Sequence, residues 1–156
     1  MKTMNKESYG MTWDLSALGQ ELCDVYAHIP HRPFYLVDTA PEDYQTLRSL
    51  VSSSLPILAP FCDHTVFSDP SGNRVQRAVH DTVHLALDAN TDEQGELRVA
   101  VEQSRLVGHY STILADVTYA DLRGQTLYFM RHKAFPVDQV GFTLHWLKTQ
   151  DVEKEW

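Results

Sequence analysis

The stretch Asn73-Arg-Val75-Gln-Arg77-Ala-Val79-His80-Asp81-Thr-Val83-His84-Leu-Ala86-Leu-Asp-Ala-Asn90 decides how this chain is read. Val75, Val79, Val83 and Ala86 recur at three- and four-residue intervals, which aligns them on one face of an α-helix. Asn73 is a capping residue type, so the pattern predicts a helix over residues 73–90. His80 and His84 fall one turn apart beside the apolar stripe. Two imidazoles at that spacing can share a metal ion, and partial burial favours the neutral, ligating ring. Asp81 is rotated from the pair and can ligate directly or orient a ligand. The plainer alternative is two histidines at the edge of a core, without metal.

Working outward, Thr91 or Asp92 caps a further helix through Leu97, Val101 and Leu106. Glu96 lies in its first turn, on one face with Ala100, Gln103 and Val107. A short link lets the two helices form an antiparallel pair, which brings Glu96 toward His80 and His84; otherwise Glu96 serves its own helix dipole. Beyond Gly108 a helix runs through Tyr110, Leu114, Val117 and Asp121. A carboxylate such as Asp121 on that apolar stripe needs a partner unless it is solvated. Arg123-Gly124-Gln125 follows, then an aromatic run over residues 127–130 and a last helix opened by Pro136, with Val140, Leu144 and Leu147.

Upstream, Leu15, Leu18, Leu22 and Val25 predict a helix over residues 14–27 capped by Asp14, after a loose start at residues 1–10. His28-Ile-Pro30-His31-Arg32-Pro33 breaks it, and Phe34-Tyr-Leu-Val37 reads as extended. Pro41 lies in the first turn of a helix opened by Thr39-Ala-Pro-Glu-Asp and carrying Leu47, Leu50 and Val51. Residues 52–73 read as loop, with extended pieces at 56–59 and 65–67. The expected architecture is mainly α: one bundle-like domain over residues 1–156, with a short extended segment in its N-terminal half and a motif-bearing helical half at 73–147.

Composition narrows the function. With 156 residues, 43% hydrophobic and 22% charged, the chain can bury a core without a metal or disulfide staple, so any metal must be argued from chemistry. Thirteen Lys and Arg against 21 Asp and Glu give a net charge of −8, opposite in sign to a duplex-binding surface. Arg74, Arg77, Arg98 and Arg105 alone are dense enough to suggest an anion-facing strip. Cys23 and Cys62 lack C-x-x-C spacing, and there is no secretory signal or long apolar run. A soluble protein of a reducing, cytoplasmic compartment, with no membrane partner, is expected. His28 and His31 read as surface or lid residues, and His109, His132 and His145 as packing or surface histidines. No nucleophile elbow or glycine-rich phosphate loop occurs.

The order Arg77-Ala-Val-His80-Asp81-x-x-His84, Gly95-Glu96, Asp121-x-Arg123-Gly124-Gln125 and then Gln139 resembles a group of bacteriophage proteins of unassigned activity. That group carries His-Asp-x-x-Gly-His, Gly-Glu and Glu-x-Arg-Gly-Gln in the same order. Here His84 follows His80 one residue sooner, and Asp121 stands at the group's Glu. The group's pattern is similar in turn to the two-histidine, one-carboxylate iron site of aromatic amino-acid hydroxylases. The resemblance implies a phage-encoded protein of the host cytoplasm. It also implies a divalent metal, iron or zinc first and manganese next, held by His80, His84 and one or more of Asp81, Glu96 and Asp121.

On this reading Glu96, Asp121, Arg123 and Gln125 are the catalytic candidates, while Arg77 and Gln103 contact a small-molecule substrate such as a nucleotide or modified base. A second enzyme reading is a His-Asp phosphohydrolase, with His64 upstream of His80-Asp81 and Asp116 or Asp121 downstream. From a different class comes a small acidic protein that binds and inhibits a host factor.

Overall fold

A computed structural model describes residues 15–50 and 54–156; the expected Asp14 cap, the loose start and Val51 lie outside them. The described chain is mainly α. Its elements in order are α1 (Leu15–Tyr26), β1 (Phe34–Val37), α2 (Tyr44–Leu50), β2 (Leu55–Leu58), α3 (Pro70–Leu87), α4 (Glu93–Gly108), α5 (Thr112–Tyr119), a π-helical turn (Ala120–Gly124), α6 (Gln125–His132) and α7 (Gln139–Thr149). No described helix is long and apolar enough to cross a membrane.

The main core joins α1, α3, α4, α5 and α7 through Leu22, Val79, Val99, Val107, Val117 and Phe142. A satellite cluster of Leu47, Leu55, Ile57 and Ala78 fastens the small sheet to α3. The sheet itself was not expected. β1 and β2 pair in parallel, Phe34 opposite Leu55 through Val37 opposite Leu58, with α2 in the crossover. Parallel strands require such a crossover, so two four-residue pieces whose partners lie 21 positions apart pair only through tertiary structure. Residues 65–67, expected to be extended, are buried but irregular.

Several boundaries move for local reasons. α3 begins at Pro70, capped by Asp69, whose carboxylate accepts from Ser71 N at 2.7 Å; Asn73 lies inside the helix. Asp-Pro supplies a cap and a pre-set φ at the first helical position, which outweighs the loop reading of Asp69–Gly72. α2 starts at Tyr44 rather than near Pro41, because Asp43 accepts from Thr46 N. α7 starts at Gln139 because Asp138, not Pro136, caps it by accepting from Gly141 N. Asp92 caps α4 as expected, accepting from Gly95 N at 2.8 Å.

The α3–α4 link is what positions the site. Asp88 adopts a left-handed conformation, φ 48°, and ends α3, and α4 then packs back along it. Gly95 is required here, since a Cβ would run into the backbone of Asn90. Gly95→Ala is therefore expected to destabilise the protein by about 2 kcal/mol through forced backbone movement, and to weaken metal retention because Glu96 is the next residue. Urea denaturation of the metal-free protein, beside metal titration, measures both.

Candidate metal centre

His80 and His84 project from one face of α3, and Glu96 reaches them from the first turn of α4. His80 Nε2 lies 3.1 Å from His84 Nε2 and 3.3 Å from Glu96 Oε2; His84 Nε2 lies 3.2 Å from Glu96 Oε1. These three residues form a group that could hold a metal ion. Ligand atoms about 2.0–2.1 Å from a first-row ion stand about 2.8–3.0 Å apart along an octahedron's edges and about 3.3–3.4 Å along a tetrahedron's, and the separations found lie between the two.

Hydrogen bonding fixes the rings. His84 Nδ1 is 2.9 Å from the Ala89 carbonyl oxygen, which can only accept, so Nδ1 carries the proton and Nε2 of the neutral ring presents its lone pair. His80 Nδ1 is 3.1 Å from Gln103 Oε1, with the same consequence. Three electron-rich groups thus converge, and they need a cation between them, either a proton or a metal. His84 is buried, while the His80 and Glu96 side chains are 21% and 20% exposed, which leaves an approach from outside.

The electrostatics agree. Burial disfavours imidazolium at His80, yet the Glu96 carboxylate, with Asp81 adding to it, outweighs burial and raises His80 above its ordinary 6.5. Burial would likewise raise Glu96, but the two imidazoles overcome it and hold the carboxyl well below its usual range. Asp81 is raised by burial, against the pull of His80 and His84. It brings no oxygen into the mutual reach of the three groups, and neither does Asp121. Asp121 lies in the π-helical turn, buried, accepting from Gln125 Nε2 and from Thr143 Oγ1 at 3.2 Å. Burial pushes it up to about 6 despite those bonds.

The remaining expected site residues fall in other places. Arg77 donates to the carbonyl oxygens of Leu58, Pro60 and Phe61 at 2.8, 3.1 and 2.7 Å, so it holds the turn after β2 instead of waiting for an anion. Backbone carbonyls in an irregular turn need donors, and Arg77 supplies them. Arg74 donates to Ala59 O, Arg98 to Leu87 O, and Arg105 pairs with Glu102, so the expected anion-facing strip is already engaged. Arg123 pairs with Glu93 at 3.1 Å, and its Nη1 is buried without a partner among the described residues. Gln103, expected to face substrate, is fully buried and supports His80.

His64, which a phosphohydrolase arrangement would need, is exposed, has a positive φ of 59° and joins no metal-competent group among the described residues. His28 and His31 each bond a neighbouring carbonyl, His109 contacts Arg105, His132 bonds Val152 O, and His145 faces Asp151.

Tyr26 and Tyr44 were missed. The Tyr44 ring lies 6.4 Å from that of His84, and its hydroxyl donates to Asp88 at the end of α3. Tyr26 accepts from Gln103 Nε2 at 2.9 Å. Its signal was available, since Leu18, Leu22 and Tyr26 are spaced by four and share a face. No family model, curated protein or solved structure matches this chain.

Proposed function

We propose that the protein is a metal-dependent enzyme in which His80, His84 and Glu96 carry one divalent ion, iron or zinc, beside an open approach for a small-molecule substrate. The observation that supports this is the convergence of two imidazole Nε2 atoms and the two oxygens of one carboxylate at 3.1–3.3 Å, with both imidazole Nδ1 protons already engaged. Two neutral imidazoles and one carboxylate suit Fe(II), Zn(II) or Mn(II) and leave coordination positions for water or substrate. Asp81 adds a partly buried acid beside the centre, while Asp121 and Gln125 brace the π-helical turn. The phage origin and a nucleotide or modified-base substrate rest on the motif resemblance alone.

A second reading, an acidic protein that binds a host factor, is favoured by the exposed apolar side chains Phe129, Met130, Phe135 and Val137, of which Phe129 and Phe135 pack together. Metal analysis of protein purified without chelator separates the two. About one equivalent of iron, zinc or manganese, lost when His80 and His84 are both replaced by Ala, is the expected result. A metal-free protein that also fails to bind added ions would remove the enzyme reading.

The affinity should depend on pH in one direction. His80 is raised, so below its titration a proton competes with the metal, while Glu96 stays ionised throughout. Apparent affinity for Zn(II) should climb about tenfold per pH unit up to the raised value of His80 and then level off. Competition with a chromophoric chelator across that range checks the slope.

A further inference from the structure

Gln103 is a side chain with one accepting end and one donating end, buried at 0% exposure. Its Oε1 faces His80 Nδ1 at 3.1 Å, and its Nε2 donates to the Tyr26 hydroxyl at 2.9 Å. Reversing the amide would place N–H against His80 Nδ1. The His80 proton would then have to move to Nε2, where it would occupy the lone pair that the metal position needs. Which way Gln103 points is therefore equivalent to which nitrogen of His80 is available.

We propose that Tyr26, a residue of α1 that touches no ligand atom, is the positioning residue that sets the tautomer of His80 through Gln103. The phenol is 1% exposed, fixed in the core against Phe67 with ring centroids 5.3 Å apart, and Thr118 is the other polar group beside it. With the Tyr26 O–H directed to Thr118, the phenol oxygen is left to accept from the Gln103 amide, which turns Oε1 toward His80. Phenylalanine satisfies neither end and releases the choice. Support of this kind beyond the ligands commonly changes metal affinity by about 10- to 100-fold. The inference rests on the metal reading for its affinity arm only; its tautomer arm is independent of metal.

The test uses 15N-labelled, metal-free full chain at about pH 9, above the imidazole range. Long-range 1H–15N ring correlations should show His80 protonated at Nδ1 in the wild type. In Tyr26→Phe, with the fold checked by circular dichroism, the His80 signals should move toward the Nε2-protonated form. The double variant Tyr26→Phe/Gln103→Glu should restore the first form, because a carboxylate accepts at both ends and cannot present an N–H to the ring.

In parallel, Zn(II) affinity should fall about tenfold in the single variant and recover in the double. Unchanged ring shifts in Tyr26→Phe overturn the proposal. So does a wild-type ring already protonated at Nε2, an outcome that needs no variant to fold. Correct tautomers with no metal uptake would leave the positioning role standing and remove the metal reading instead.

Discussion

Glu96→Gln is expected to lower the affinity for a divalent ion by about two orders of magnitude or more, with little change in side-chain volume. A complete ligand set for a tightly held zinc is worth about 10–16 kcal/mol, so one ligand of three or four carries roughly 3–4. The amide keeps one oxygen but removes the only negative charge among the three ligand residues, and its N–H₂ group can turn toward a lone pair. In wild type, metal at about a hundred times its dissociation constant should add about 2.7 kcal/mol, or about 5–10 °C in Tm for a chain of this size. The variant should show almost none of that shift. If Glu96→Gln kept wild-type affinity, the carboxylate would not be a ligand and the centre would lose its carboxylate member.

The metal-free proteins give an independent reading of the same residue. Glu96 is depressed from 4.5, so it contributes stability above that value, and this is lost as pH falls through the folded value. His80 is raised from 6.5, so its contribution is complete below 6.5 and lost as pH rises through the folded value. The two windows overlap between 4.5 and 6.5, where the stability difference between wild type and Glu96→Gln should be largest. Urea titrations at several pH values locate that maximum.

How much of this was legible depended on whether the signal was local. The i,i+4 spacing of His80 and His84 beside Val79 and Val83 is enough to place two rings on one half-buried face, and they are found there. The Glu96 contact needed one further inference, that the short link after Asn90 lets α4 return along α3, and Gly95 makes that turn possible. Gln103 was placed on the correct face of α4, but whether it met substrate or a ligand depended on α1, eighty residues upstream. Arg77 was assigned to an anion because the demand it answers, three carbonyls in the turn after β2, leaves no trace in composition.

Asp121 was read on the apolar stripe of Leu114 and Val117 as a carboxylate that needs a partner unless solvated, and it is buried there with Gln125 and Thr143 as its partners. The partners were not legible: the chain widens into a π-helical turn over Ala120–Gly124, and Thr143 of α7 donates to Asp121 there. Periodicity at 3.6 residues per turn cannot foresee such an insertion.

Burial gives Asp121→Asn its expected effect, because the wild-type carboxyl is more costly to ionise in the folded chain than in the unfolded one. Its ordinary value is 3.8, and burial raises it to about 6 against the pull of Gln125, Thr143 and His80. Between those values the native state binds more protons than the unfolded state, so wild-type stability falls as pH rises from about 4 to about 6. Over the whole titration the loss amounts to about 3 kcal/mol, at about 1.4 kcal/mol per pH unit of displacement.

Asparagine keeps an oxygen to accept from Gln125 and Thr143 and has no charge to bury. Relative to wild type, the variant should therefore gain about 2–2.5 kcal/mol between pH 4 and pH 7, whatever its absolute stability at either end. The contributions of His80 and Glu96 largely cancel, since both proteins carry them. Urea denaturation of the two metal-free proteins at both pH values measures this double difference. A difference near zero would mean that Asp121 titrates normally, and so that the π-helical turn does not seal it from water.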